Sequence, residues 1–262
     1  MSTETNSHAA PLAGLTAAVT GASSGIGRAI AVEFASLGAD LALFARANAD
    51  GLQQTADLVA AQGRQYIKLL IDFTDPAACQ RAVDKSWSWR PIDIWVQNAG
   101  ADVLTGPAAE LTFAEKLDRL YQTDVRGGML VCREAGARMT QRGAGVILTT
   151  GWDQAETGMG GDSGEMFAAT KGAVMAFTRS LAKSLAPEVR VNCLAPGWIQ
   201  TKWGDSAPAY WQDRARREAL VGRWGTPEDV AQAAAYLAAP GAGFVTGQVL
   251  NVNGGFAGSA EF

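Results

Sequence analysis

Apolar positions change their period repeatedly along this chain. Short, nearly continuous apolar runs near residues 17–20, 41–44, 66–71, 92–97, 146–149, 189–194 and 248–252 read as strands buried on both faces. Between them, apolar residues recur at helical spacing over 28–37, 52–62, 76–87, 113–141, 165–185 and 227–238. Strand and helix alternate with no repeat and no low-complexity linker. The pattern predicts right-handed βαβ crossovers and an α/β fold: a Rossmann-type, doubly wound parallel sheet of about seven strands with helices on both faces. Ligands of such a sheet sit beyond the carboxyl ends of its strands.

The first strand runs into Thr20-Gly21-Ala22-Ser23-Ser24-Gly25-Ile26-Gly27, and a helical pattern opens directly after it. Gly21 permits a tight turn, Gly25 lets backbone approach a pyrophosphate, and Gly27 allows close helix packing. The helix N-terminus offers free N–H groups, and Ser23 and Ser24 add hydroxyls.

Length and composition place these elements in a setting. With 262 residues and 48% hydrophobic content, the chain can bury one large core, predicted as a single domain over 12–262 behind a polar tail at 1–11. A net charge of −4 without a basic run argues against nucleic acid as a partner. No apolar stretch approaches the ~20 residues of a membrane span, and the start of the chain lacks signal-peptide character, so a cytoplasmic location is expected. Cys79, Cys132 and Cys193 read as reduced, buried thiols. The only histidine is His8, in the tail, so no metal site is expected.

Further motifs fall at the predicted strand ends: Asp72-Phe73, Asn98-Ala99-Gly100, Lys171, and the segment Pro196-Gly197-Trp198-Ile199-Gln200-Thr201. Together with the glycine turn, they resemble the classical short-chain dehydrogenase/reductase family from about residue 12 to 255. The resemblance implies that Asp72, with Phe73 beside it, receives the adenine amino group of a nicotinamide dinucleotide. Asn98, Ala99 and Gly100 would border the adenosine ribose, and Pro196, Gly197, Ile199 and Thr201 would hold the nicotinamide carboxamide. The alternative for Asp72 is a helix cap, a role that Asp75 fills better. Ala45 occupies the place where a carboxylate would select NAD(H), and Arg46 follows it, a guanidinium suited to a 2′-phosphate. NADP(H) is therefore the expected cofactor, with NAD(H) as the alternative if Arg46 only stacks on adenine or lies in solvent. By the same resemblance, the long helices over 113–141 and 165–185 would assemble a homotetramer around small-molecule chemistry.

The catalytic segment departs from the family. A tyrosine is expected four residues before Lys171, and Phe167 stands there, with no proton to give. The family serine position falls on Gly151, with Thr150 one residue away, and the helix asparagine is replaced by Asp124. The loop after residue 150 carries Trp152, Asp153, Glu156, Asp162 and Glu165. A carboxyl buried there, Asp153 first, would serve as a substitute acid; otherwise Asp162 or Ser163 caps the next helix and the remaining acids are solvated.

Three readings follow. One is a reductase of imines, iminium ions or other activated double bonds, with Trp152, Asp153, Glu165, Trp198 and Trp203 around the substrate. The second is a carbonyl reductase using a substitute acid, and the third a cofactor-binding pseudoenzyme. Residues 202–225, rich in tryptophan, read as a substrate lid or as a helix pair packed on the body.

Overall fold

The computed structural model describes residues 10–257; His8 and most of the predicted tail lie outside them. Seven parallel strands form one sheet in the order β3-β2-β1-β4-β5-β6-β7. They are β1 (Thr16–Thr20), β2 (Asp40–Ala45), β3 (Tyr66–Leu70), β4 (Ile94–Gln97), β5 (Gly145–Thr150), β6 (Val189–Pro196) and β7 (Val249–Val252). The strand order reverses between β1 and β4, the point at which sheets of this kind bind ligands beyond the carboxyl ends of their strands.

Alternate residues of each strand enter different cores, as the pleat requires. Ala17 and Val19 face α1 (Gly25–Ser36), α2 (Ala49–Ala61) and α9 (Pro227–Ala238), where Ile30, Phe34 and Val230 are fully buried. Ala18 faces α3 (Pro76–Trp89) and the paired helices α5 (Gly128–Arg142) and α6 (Asp162–Leu185), around Trp95, Val131 and Met139. Both faces are covered, which explains why the strands read as continuous apolar runs.

Two predicted helices differ. The segment expected as one helix over 113–141 is α4 (Phe113–Leu120), a π-helical stretch (Tyr121–Gly127) and α5. Gly127 is needed in that stretch because a Cβ there would lie 2.2 Å from the Phe73 carbonyl oxygen. Helix α6 begins at Asp162 rather than Glu165; its N-cap is Gly161 at φ 91°, and neither Asp162 nor Ser163 caps it through a side chain. The tryptophan-rich segment over 202–225 contains two short helices, α7 (Lys202–Ser206) and α8 (Ala209–Glu218). Among the described residues, no helix is long and apolar enough to cross a membrane.

Candidate active site

The glycine turn is held by one threonine. Thr20 Oγ1 accepts from the backbone N–H groups of Asn98 and Ala99, both at 2.9 Å, and donates to the Val96 carbonyl. Asn98 Nδ2 returns a bond to the Thr20 carbonyl, so the loops after β1 and β4 form one unit. Gly21 and Gly25 have φ of 70° and 51°, and a Cβ on Gly27 would lie 2.2 Å from the Gly21 carbonyl oxygen. Ser24 is the N-cap of α1, but its hydroxyl makes no cap bond, which leaves the N–H groups of the first turn without a side-chain partner. Ser23 is fixed through its carbonyl, which accepts from Arg28 at 2.6 Å.

The next strand ends continue this surface. Ala45 is buried at the end of β2, and Arg46 beside it is exposed, with no side-chain hydrogen bond or ion pair among the described residues. Asp72 is exposed and folds one carboxylate oxygen onto Thr74, while Asp75 caps α3 by accepting from Ala77. Phe73 is buried against Phe44. An added Cβ on Gly25 would meet only Thr201 Cγ2, at 3.7 Å, so the turn faces the 196–201 segment across open backbone. An uncapped helix N-terminus, an unpaired guanidinium and an accessible carboxylate in this order fit a phosphorylated dinucleotide.

The predicted catalytic residues lie at and beyond the ends of β4, β5 and β6. Lys171 Nζ stands 2.9 Å from Asp124 Oδ2 and donates to the Thr150 carbonyl at 3.3 Å. The lysine side chain is 13% exposed and the aspartate 2%. Asp124 Oδ1 also accepts from Ala101 N at 2.8 Å, and Gly100 leaves room for that carboxylate. The π-helical stretch turns Asp124 toward both partners, a distortion common at functional sites. Phe167 is half-buried, with its ring edge toward Trp152 at 6.4 Å between centroids. A Cβ on Gly151 would meet Met175 Cγ at 2.7 Å and Cys193 Sγ at 2.9 Å, so a side chain there requires Met175 to move. The Thr150 hydroxyl is buried without a partner among the described residues.

Above these groups lies a cavity of about 440 Å³. Phe167, Lys171, Thr150 and Trp152 line it, together with residues of the 196–201 segment and with Trp203, Trp211 and Trp224. Trp198 is the hub of the aromatic wall, 5.5 Å from Trp211, 6.1 Å from Trp224 and 6.3 Å from Trp203. Residues 21–257 match the family model described as enoyl-(acyl carrier protein) reductase.

The chain is a short-chain dehydrogenase/reductase.

Relatives of this dehydrogenase/reductase span its whole fold. The 2-dehydro-3-deoxy-D-gluconate 5-dehydrogenase of Pseudoalteromonas atlantica is 34% identical over 255 residues, covering 94% of this chain and 97% of that protein. A 7α-hydroxysteroid dehydrogenase complexed with NADH and 7-oxo glycochenodeoxycholic acid is similar at TM-score 0.86 and 30% identity, covering 96% of this chain and 97% of that one. A short-chain dehydrogenase from Burkholderia cenocepacia in complex with NADP gives TM-score 0.82 and 32% identity, over 94% and 98% of the two chains. The chain is accordingly an NAD(P)-dependent oxidoreductase.

Not every residue expected at the substrate of this enzyme faces the cavity. Asp153 is buried behind Gly197, where an added Cβ would lie 2.9 Å from its carboxylate, and it accepts from Asn253 Nδ2 at 3.1 Å. Burial pushes its pKa up to about 6, opposed by the Asn253 bond. Glu165 is exposed on the first turn of α6, outside the cavity wall, and Glu156 pairs with Arg179 at the surface. Trp152, Trp198 and Trp203 do line the cavity.

Sequence reasoning missed Glu218 and Arg214. Glu218 Oε2 accepts from Trp198 Nε1 at 2.7 Å, its other oxygen binds Arg214 at 2.7 Å, and the guanidinium stacks on Trp198 and Trp211. The signal available was their four-residue spacing on a helix. Among the described residues, no group of metal-binding side chains occurs.

Proposed function

We propose that this enzyme is an NADP(H)-dependent reductase of flat, apolar molecules whose double bond is already activated, with imines and iminium ions as the substrate class. The observation that carries this reading is the cavity itself: five tryptophans and Phe167 line it, and Lys171 is the one charged side chain among the described lining residues. Gly25, Ile26, Arg46 and Asp72 would hold the phosphates and adenosine, and Lys171, Pro196, Ile199 and Thr201 the nicotinamide end. Bound there, the nicotinamide supplies a hydride. Arg46 beside Ala45 favours the 2′-phosphate form, because a bidentate guanidinium pairs with phosphate and no carboxylate opposes it.

A ketone that gains hydride becomes an alkoxide and requires a proton. An imine enters as its protonated iminium form, having taken its proton from solvent beforehand; the carbon that gains hydride then sends its π pair to nitrogen, which loses its positive charge, and no anion remains. A missing general acid raises the first barrier by about 3–5 kcal/mol, or 10²–10⁴ in rate, and leaves the second nearly untouched. The chain's residues then have three tasks. Lys171 orients the ribose, the tryptophans exclude water and hold a flat ring system, and Phe167 packs against it.

Matched cyclic imines and ketones, followed by NADPH oxidation with NADPH binding measured separately, test the proposal. Wild type is expected to reduce the imines, and Phe167→Tyr to gain ketone reduction. Ketone reduction by wild type at imine-like rates would overturn it.

A further inference from the structure

Lys171 is the one charged side chain among the described residues that line the cavity, and its charge is not free. Asp124, 2% exposed, stands 2.9 Å from the ammonium. Arg214, stacked on Trp198 and Trp211, is paired with the buried Glu218 in the same way. Asp153 adds a third buried carboxylate, with no basic partner among the described residues. The two mostly buried cations beside the cavity, Lys171 and Arg214, are therefore each matched by a buried carboxylate, and with Asp153 the buried groups lean negative.

From this balance, and resting on the C=N reading above, we infer that Asp124 makes the site select a positively charged substrate, a protonated imine or quaternary iminium ion, over a neutral molecule of the same shape. An unpaired ammonium at the cavity wall would repel such a substrate through a low-dielectric space; a carboxylate at contact distance cancels that repulsion. Tryptophan faces then attract the cation, which they would hold less well beside an uncompensated lysine. Asp124 has a second, structural task, accepting from Ala101 N, and that task needs only an oxygen. Asparagine keeps the oxygen and removes the charge, so Asp124→Asn separates the two roles.

The test uses N-methylisoquinolinium and its neutral isostere 2-methylnaphthalene, bound to the full chain saturated with 1,4,5,6-tetrahydro-NADP, whose nicotinamide ring is uncharged and gives no hydride. Quenching of tryptophan fluorescence reports both affinities. Wild type is expected to prefer the cation, and Asp124→Asn to lose roughly tenfold or more of that preference while the affinity for 2-methylnaphthalene stays within about twofold. Should Asp124→Asn fail to fold, Lys171→Met supplies the opposite perturbation: it leaves the aspartate unopposed and is expected to strengthen the preference. No preference in wild type, or a preference that neither variant moves, overturns the inference. Imine turnover without charge preference removes this inference alone, whereas charge preference without imine turnover removes the C=N reading and leaves the selection by charge standing.

Discussion

Thr20 has no side-chain surface exposed, and it ties the glycine turn to the loop after β4 through three hydrogen bonds of one hydroxyl. Thr20→Val keeps the shape and removes the hydroxyl. Each buried group left unpaired costs about 1–3 kcal/mol, and a chain of this size loses roughly 2–4 °C of Tm per kcal/mol. Calorimetry should therefore show a lowered Tm and weakened NADPH binding. Asp153 makes a pH-dependent prediction. In the fold its carboxyl holds a proton up to about pH 6, against 3.8 ordinarily, because burial disfavours the charge. Between those values the native state binds more protons than the unfolded chain, so this group's contribution to stability falls as pH rises through that window. Asp153→Asn cannot ionise and should be more stable than wild type at neutral pH by up to about 3 kcal/mol, a gain that vanishes near pH 4. Melts across pH that show no such convergence would remove the burial argument. At this scale, residues whose role is set by backbone position were legible: the glycine turn, the Asp75 cap, and Lys171 with Phe167 on one helix. The direction of the Asp153 side chain was not, because a loop residue has no periodicity to say which way it faces, and Asn253 lies a hundred positions away.

Among the elements, α8 is anchored to the cavity wall by Glu218, which holds Trp198 and Arg214 at once. Glu218→Gln places an amide N–H against one of two donors that both need an acceptor. Hydrogen exchange should accelerate across residues 202–225 with the sheet unchanged; a uniform change across the fold would mean that Glu218 serves global stability and not the lid. The π-helical stretch between α4 and α5 shows why helix continuity was misread. Its apolar residues keep the helical spacing, and the wider turn that brings Asp124 to Lys171 and Ala101 arises from partners distant in sequence. The start of α6 was misplaced for a related reason. Asp162 and Ser163 have the chemistry of N-caps, yet Gly161 takes the position because only a glycine tolerates its φ of 91°.

For the whole molecule, the alternation of strand and helix was enough to predict the doubly wound sheet, since few topologies satisfy that pattern with right-handed crossovers. It did not reveal that five tryptophans and Phe167 converge on one cavity, because those residues come from the loop after β5, α6, the segment after β6 and the lid. The chain joins the fold of a family of NAD(P)-dependent enzymes to a pocket with no phenol at position 167. The central claim is that hydride transfer here proceeds without a side-chain acid at that position. The measurement that tests it most directly is the ratio of kcat/KM for a cyclic iminium ion to that for the ketone of the same ring system, with NADPH and unmodified enzyme. The account predicts a ratio of about 10² or more. A ratio near one, with both substrates reduced well, would contradict it.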